Sequence, residues 1–244
     1  MTQKKPPRLL LLQIRDEVRV RQEEHESFAQ YCELPKECID IHNVFDKPEF
    51  GLEIVAGYDA LLVGGASEAS VGEPDRYPFV PASIALMRDC IGQGVPVFAS
   101  CFGFQLAVLA LGGTIIKDES GFEMGSIPIS LHPNAAQDIL MHDLPNPFMA
   151  IAVHRERSVE CPPGAVELAF TQPCCHAFKV IDKPFWAFQF HPEVDRACLV
   201  ERLSIFKEQY TDGDDHLEEV LAGAVETPWS NHLLRSFVER VVLA

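Results

Sequence analysis

No stretch of the 244-residue sequence approaches the roughly 18 consecutive apolar residues that a membrane-spanning helix needs. The longest early run, Leu9-Leu10-Leu11-Leu12, follows a basic, proline-containing lead and is too short for a secretory core segment. Positive charge is scarce. Twenty Lys+Arg against 36 Asp+Glu give a net charge of -16, the wrong sign for a protein that neutralises nucleic-acid phosphates or docks on anionic lipid. The sequence also lacks a G-x-x-x-x-G-K-[ST] loop and a G-x-G-x-x-G turn, and the first apolar run leads into Arg15-Asp16-Glu17 rather than a Ser/Thr/Gly-rich phosphate loop. Nucleotide and flavin cofactors therefore have no support, none is expected, and ATP-driven synthesis would need another chain. The eight cysteines are scattered, without the dense spacing of a small secreted scaffold, so reduced thiols and a cytoplasmic location are expected. Cys174-Cys175-His176 and the Cys32/Cys38 pair lack zinc-ligand spacing and read as structural thiols, and no metal site is expected. Asp212-Gly213-Asp214-Asp215 lacks the alternating ligands of a calcium loop and reads as a solvated acidic turn.

What the sequence does have is an alternation of short apolar runs with longer amphipathic stretches. Leu9–Ile14, Cys38–His42, Ala60–Val63 and Pro96–Ser100 read as buried strands, and Arg19–Tyr31, Pro81–Gln93 and Phe102–Leu111 as the helices between or after them. This β-α-β-α order implies a parallel sheet with helices on both faces. After Gly112-Gly113 the texture changes to successive strands: Thr114–Asp118, Ser126–Leu131, Phe148–His154, Val166–Thr171, Ala177–Ile181 and Trp186–His191, with one short helix expected at Ala135–Met141. Two helices, Arg196–Tyr210 and Ser230–Val242, each carry one apolar stripe and close the chain. With no repeat, linker or low-complexity tract, residues 1–244 read as one three-layer α/β/α domain, its mostly parallel sheet widened by antiparallel strands, with a helical extension from about residue 212.

The segment Ala99-Ser100-Cys101-Phe102-Gly103-Phe104-Gln105 holds the strongest chemical signal. A buried strand runs into a helix through small-x-Cys-x-Gly, the spacing of a nucleophile elbow. Small residues two before and two after the nucleophile let neighbouring backbone pass. The turn also places the sulfur at a helix N-terminus, where free N–H groups and the dipole favour a thiolate. Ser100 fails this test because its neighbours at ±2 are Phe98 and Phe102. A cysteine nucleophile needs a base and something to orient the base. His191-Pro192-Glu193 offers both: His191 ends an apolar run, Pro192 stops the ladder, and Glu193, two residues on, returns to the same face.

Together these segments resemble the class I glutamine amidotransferase domain, whose pattern is G-x-C-x-G-x-Q followed by H-P-E. The order Cys, His, Glu and the distance from Cys101 to His191 agree with it. So do Tyr58-Asp59-Ala60-Leu61-Leu62-Val63-Gly64-Gly65, similar to the family's strand and oxyanion loop, and Val153-His154-Arg155-Glu156, placed where the family has Ser-His-x-Asp. The resemblance covers about residues 9–207. It implies a flavodoxin-like fold, Cys101 as nucleophile, His191 as proton shuttle, Glu193 as its orienter, N–H groups of Gly65 and Phe102 as the oxyanion hole, and Gln105, His154, Arg155 and Glu156 at the substrate. Four departures stand out: Ala99 for Gly, Phe104 for a frequent His, Ala66 after Gly65 where Pro is usual, and Glu156 for Asp. Phe104, Arg155 and Glu156 would alter the pocket's shape and charge, although Phe104, Phe188 and Phe190 read as core.

The expected activity is hydrolysis of a γ-glutamyl amide, with glutamine as substrate and a synthase subunit taking the ammonia, as in a stand-alone glutaminase of the GMP synthase type. The alternative is an autonomous hydrolase of γ-glutamyl peptides, as in the γ-glutamyl peptidases built on the same domain. A third reading is a catalytically idle binding or regulatory module.

Overall fold

The computed structural model describes residues 6–118, 122–205 and 214–244. The first half follows the expected alternation: β1 (Leu9–Gln13), α1 (Val18–Tyr31), β2 (Ile39–Asn43), β3 (Ala60–Val63), α2 (Phe79–Gln93), β4 (Val97–Ser100) and α3 (Phe102–Ala110). Strands follow: β5 (Ile116–Lys117), β6 (Glu123–Leu131), β7 (Phe148–His154), β8 (Glu156–Arg157), β9 (Ala165–Thr171), β10 (Cys174–Val180) and β11 (Phe185–Phe188). Helices α4 (Arg196–Ile205), α5 (Asp214–Gly223) and α6 (Pro228–Phe237) come last, α6 running into a π-helical turn at Val238–Val242.

Nine strands form one sheet in the order β2-β1-β3-β4-β11-β10-β9-β6-β7. The first five are mutually parallel, and every pairing from β11 onward is antiparallel. The expected mixed α/β architecture is therefore present. The four leucines of β1 show how so short a strand serves two layers. Side chains alternate along a strand, so Leu10 and Leu12 enter the core beneath α2 and α3, while Leu9 and Leu11 enter the core beneath α1 and α6. In the second core Phe98 packs between Phe188 and Phe237, with ring centroids 4.6 and 5.4 Å away. Truncating Phe98 to Ala would cost about 3–5 kcal/mol.

Three expectations are corrected. The strand expected to reach His191 ends at Phe188, because Gln189 turns its N–H to the His176 carbonyl at 2.8 Å and the chain then bends away. The helix expected at Ala135–Met141 is a 3₁₀ turn over Pro133–Gln137, stopped where the Asp138 carboxylate accepts the N–H groups of Leu140 and Met141. Among the described residues a further helix, α5, begins at Asp214, between the two that the sequence led us to expect. That helix takes in half of the acidic turn expected at 212–215, whose first half lies outside the described residues, as does the end of the expected 196–210 helix beyond residue 205. The apolar stripe of the last helix packs into the second core through Leu233, Leu234 and Phe237. All eight cysteines are free thiols, and no described helix is long and apolar enough to cross a membrane.

Candidate active site

Parallel strands point the same way, so loops at their carboxyl ends gather on one edge of the sheet, where open α/β sheets place ligands. β1, β3, β4 and β11 bring Arg15, Gly65, Cys101 and His191 to that edge. Cys101 caps α3 with φ 49° and ψ -98°. A side chain held there costs about 1–3 kcal/mol and persists only when its surroundings enforce it. The Cys101 N–H is pinned to the Phe188 carbonyl at 2.7 Å, and the Cys101 carbonyl takes the Gln105 N–H at 3.1 Å. The requirement for a small residue at +2 is visible: a Cβ on Gly103 would lie 2.9 Å from Val63 Cγ1 and 3.1 Å from Ala99 Cβ.

His191 and Cys101 face each other beside Gly65. A Cβ there would stand 2.8 Å from His191 Cε1 and 3.4 Å from Cys101 Cβ, so only glycine lets the loop pass. His191 Nδ1 is 2.7 Å from Glu193 Oε1, and both side chains are buried. Burial alone would lower the His191 pKa, but the adjoining Cys101 and Glu193 outweigh it and raise the value to about 9. Burial would raise Glu193, yet His191 and then Arg202 bring it down to about 2. His191 is thus held between a buried carboxylate on one side and the Cys101 sulfur on the other. Phe102 and Gly65 both stand beside Cys101 at this edge. Phe102 opens α3, and among the described residues neither amide is committed to a loop or cap hydrogen bond.

Cys101 and Phe102 form one end of an open cleft of about 190 Å³ whose opposite wall is Val153–Glu156. The four expected substrate contacts are distributed unequally around it. Arg155 lines the cleft with its guanidinium 4.8 Å over the Phe122 ring. Glu156 lines it too and accepts a hydrogen bond from Ser70 Oγ. Gln105 stands at the cleft, but its Nε2 donates to the Glu156 carbonyl at 2.9 Å, so the amide braces the wall. The His154 ring turns to Glu123, 3.1 Å away, and to His176, leaving mainly its backbone for the cleft.

Several supporting groups escaped the sequence reading. Arg15 is fully buried, bonded to Glu24 at 2.8 Å and to Ser67 Oγ at 2.9 Å, and backs the Gly65 loop. Glu24 had a signal, since it sits between Val20 and Phe28 on the buried i, i+4, i+8 face of α1. Burial raises its pKa, with Arg15 opposing. Arg202 on α4 bonds Glu23 at 2.8 Å and approaches Glu193 Oε1 to 3.8 Å. Asn231 on α6 donates to the carbonyls of Pro192 and Val194 at 2.8 and 3.0 Å, fixing the turn that carries Glu193. Arg202 and Asn231 lie on helix faces whose partners are distant in sequence, and nothing in the local pattern marks them.

Fold and site together define a flavodoxin-like α/β protein with a cysteine elbow backed by a buried His-Glu pair. Residues 39–198 match the family model described as glutamine amidotransferase class-I, and the chain belongs to that family. Over 165 residues it is 29% identical to the GMP synthase [glutamine-hydrolyzing] of Agathobacter rectalis, covering 67% of this chain and 28% of that protein. The corresponding protein of Borrelia garinii is 36% identical over 120 residues, covering 47% and 22%. The chain thus spans less than a third of the length of these curated relatives. A glutamine amidotransferase from Thermotoga maritima superposes with TM-score 0.78 at 19% identity, covering 98% of this chain and 100% of that one. One from Methylobacillus flagellatus gives 0.69 at 19% identity, covering 96% and 94%. At these identities the two structures speak for the fold alone.

Proposed function

We propose that this chain hydrolyses the γ-carboxamide of glutamine, with Cys101 as nucleophile, His191 as acid and base, and Glu193 as the group that orients and charges His191. The observation that carries this reading is the strained Cys101 elbow facing a histidine that is locked 2.7 Å from a buried carboxylate at the end of a cleft. Cys101 thiolate attacks the carboxamide carbon, and the carbonyl π pair moves to oxygen, where the N–H groups of Gly65 and Phe102 hold the oxyanion. His191 gives its proton to the departing nitrogen, ammonia leaves, and a γ-glutamyl thioester remains. Neutral His191 then takes a proton from water, hydroxide adds to the thioester, and glutamate departs as Cys101 regains its electron pair. Gln105 keeps the facing wall at a fixed distance, and the Glu156 carboxylate meets the α-ammonium of the donor. The GMP synthase relatives support passing the ammonia to a synthase subunit.

A second reading, hydrolysis of γ-glutamyl peptides, is favoured by Arg155. Its planar fork on the cleft wall fits a carboxylate, which a peptide leaving group carries and ammonia does not. Incubating the chain alone with glutamine and with γ-glutamyl dipeptides, and measuring ammonia and free amino acid, decides between them. Ammonia from glutamine is the expected product. Turnover of dipeptides alone would make the second reading the activity, and turnover of neither, with or without an added synthase, would leave a binding module.

A further inference from the structure

Away from the Cys101 elbow, four buried or half-buried side chains from three strands turn toward one point. Glu123 opens β6, His154 closes β7, and Cys174 and His176 open β10; one ligand atom from each lies within 4.8 Å of all the others. His176 Nε2 is 2.8 Å and His154 Nε2 3.1 Å from the same oxygen, Glu123 Oε2. These two approaches differ. His176 is in line for a hydrogen bond, whereas His154 is out of line, so neither nitrogen of this buried ring has a hydrogen-bond partner. An unpartnered buried polar atom costs about 1–3 kcal/mol, and an imidazole with two of them calls for a different kind of bond. Cys174 Sγ contributes to no tighter network: its hydrogen bond goes to the adjoining Cys175 carbonyl at 3.2 Å.

We infer that Glu123, His154, Cys174 and His176 form a binding site for a divalent transition metal of the zinc class. Two neutral imidazoles, a thiolate and a carboxylate carry a net charge of -2, which balances the cation, and they combine the nitrogen, sulfur and oxygen donors that zinc accepts in four-coordinate sites. With ordinary zinc–ligand lengths the corners of such a tetrahedron lie roughly 3.3–3.6 Å apart, so the widest pair here closes by about 1 Å on binding. The proton balance is simple. Cys174 loses its S–H proton to solvent, each ring presents the Nε2 lone pair with its proton on Nδ1, and Glu123 binds as the carboxylate. Four protein ligands leave no position for a reacting water, so the site is structural. It would tie β6, β7 and β10 together at the point where β7 hands the chain to Arg155 and Glu156, and so would set the cleft wall. Local spacing gave no hint of it because the donors come from segments about 20 to 30 residues apart.

The test uses the full chain carrying Cys101→Ser, which removes a competing thiolate. Stripped with chelator and titrated with cobalt(II) chloride, it should take up one equivalent, with a thiolate-to-cobalt band in the near ultraviolet and intense visible bands of a tetrahedral ion, all abolished by zinc chloride. Cys174→Ser should remove the thiolate band. His176→Gln and Glu123→Gln should each weaken cobalt binding by at least about 100-fold, because even loss of a group behind a ligand typically costs 10–100-fold. Circular dichroism checks that each variant folds. Should one fail, the Tm of the otherwise unaltered chain, which should rise with zinc concentration, serves in its place. No thiolate band, a band that survives Cys174→Ser, or a Tm indifferent to zinc would overturn the assignment.

Discussion

In the parallel half of the sheet, each strand end delivers its group to the active edge through a turn of one to three residues: Gly65 after β3, Cys101 directly after β4, His191 three residues after β11. In the antiparallel half, groups reach the cleft and the Glu123 cluster from long strands whose neighbours are set by the sheet. The first half has its geometry written into short segments, where one residue in a left-handed turn or one glycine decides whether the site exists. The second half is an assembly, in which the place of each group depends on the sheet as a whole. On the proposed function its part is to shape and hold the donor, so damage to it should show in KM, whereas damage to the parallel half should show in kcat.

The largest expected effect tests the parallel half directly. Cys101→Ser should lose at least about three orders of magnitude in ammonia release, since a hydroxyl there lacks thiolate nucleophilicity. A loss below tenfold would move the nucleophile elsewhere and end the comparison. His191→Asn should stop acyl-enzyme formation, seen by mass spectrometry of the quenched protein, while Glu193→Gln should leave a residual rate because orientation and charge alone are lost. The double variant should be little worse than His191→Asn. Additive losses would show Glu193 acting apart from His191.

On the antiparallel side, Arg155→Ala should lower kcat/KM for γ-glutamyl dipeptides by about one to two orders of magnitude, chiefly through KM, with glutamine little affected. An equal fall on both substrates would place Arg155 at the shared γ-glutamyl group and remove the support for the peptidase reading. Asn231→Ala sharpens the comparison from outside the sheet. Two buried carbonyls lose their donor, costing about 1–3 kcal/mol by urea denaturation, and kcat should fall up to about tenfold as the Pro192–Val194 turn loosens, with KM unchanged. The smallest effect is the pH dependence of stability. His191, raised from 6.5 to about 9, adds stability that is complete below 6.5 and lost as pH rises through 9. Glu193, lowered from 4.5 to about 2, adds stability present above 4.5 and lost as pH falls through 2. Urea midpoints measured across pH 6–10 should therefore decline on the alkaline side, and Glu193→Gln should flatten that decline. An unchanged slope would mean that the His191 proton is held by other groups.

The same contrast explains what the sequence could and could not convey. β3 and β7 were legible to the residue because each is an apolar run bounded by residues that break a ladder. The elbow was legible because sterics restrict positions 99, 101 and 103 independently of the rest of the chain. The end of β11 was misplaced because Gln189 and Phe190 are as buried as a strand but follow the neighbouring chain only through the Gln189 amide. Ala135–Met141 reads as a helix until Asp138 is seen to spend its carboxylate on the turn and on Trp186 Nε1, 2.9 Å away, 48 positions later. The roles of Gln105 and His154 were blurred for a related reason. Both line the cleft, but the Gln105 amide donates to the Glu156 carbonyl and the His154 ring stands against Glu123, neighbours that only the folded sheet supplies.

The clasp of Asn231 on the Pro192 carbonyl spans 39 positions. A ribosome adding roughly 5–20 residues per second makes the base several seconds before it makes the residue that steadies it. Cys101, some ninety residues earlier still, can settle into its elbow only once β11 has been laid beside β4, because the Phe188 carbonyl holds its N–H. Synthesis therefore delivers the reactive sulfur first, its strained seat second and the clasp last. On the proposed function, then, the residue that steadies His191 joins the site after every group it steadies.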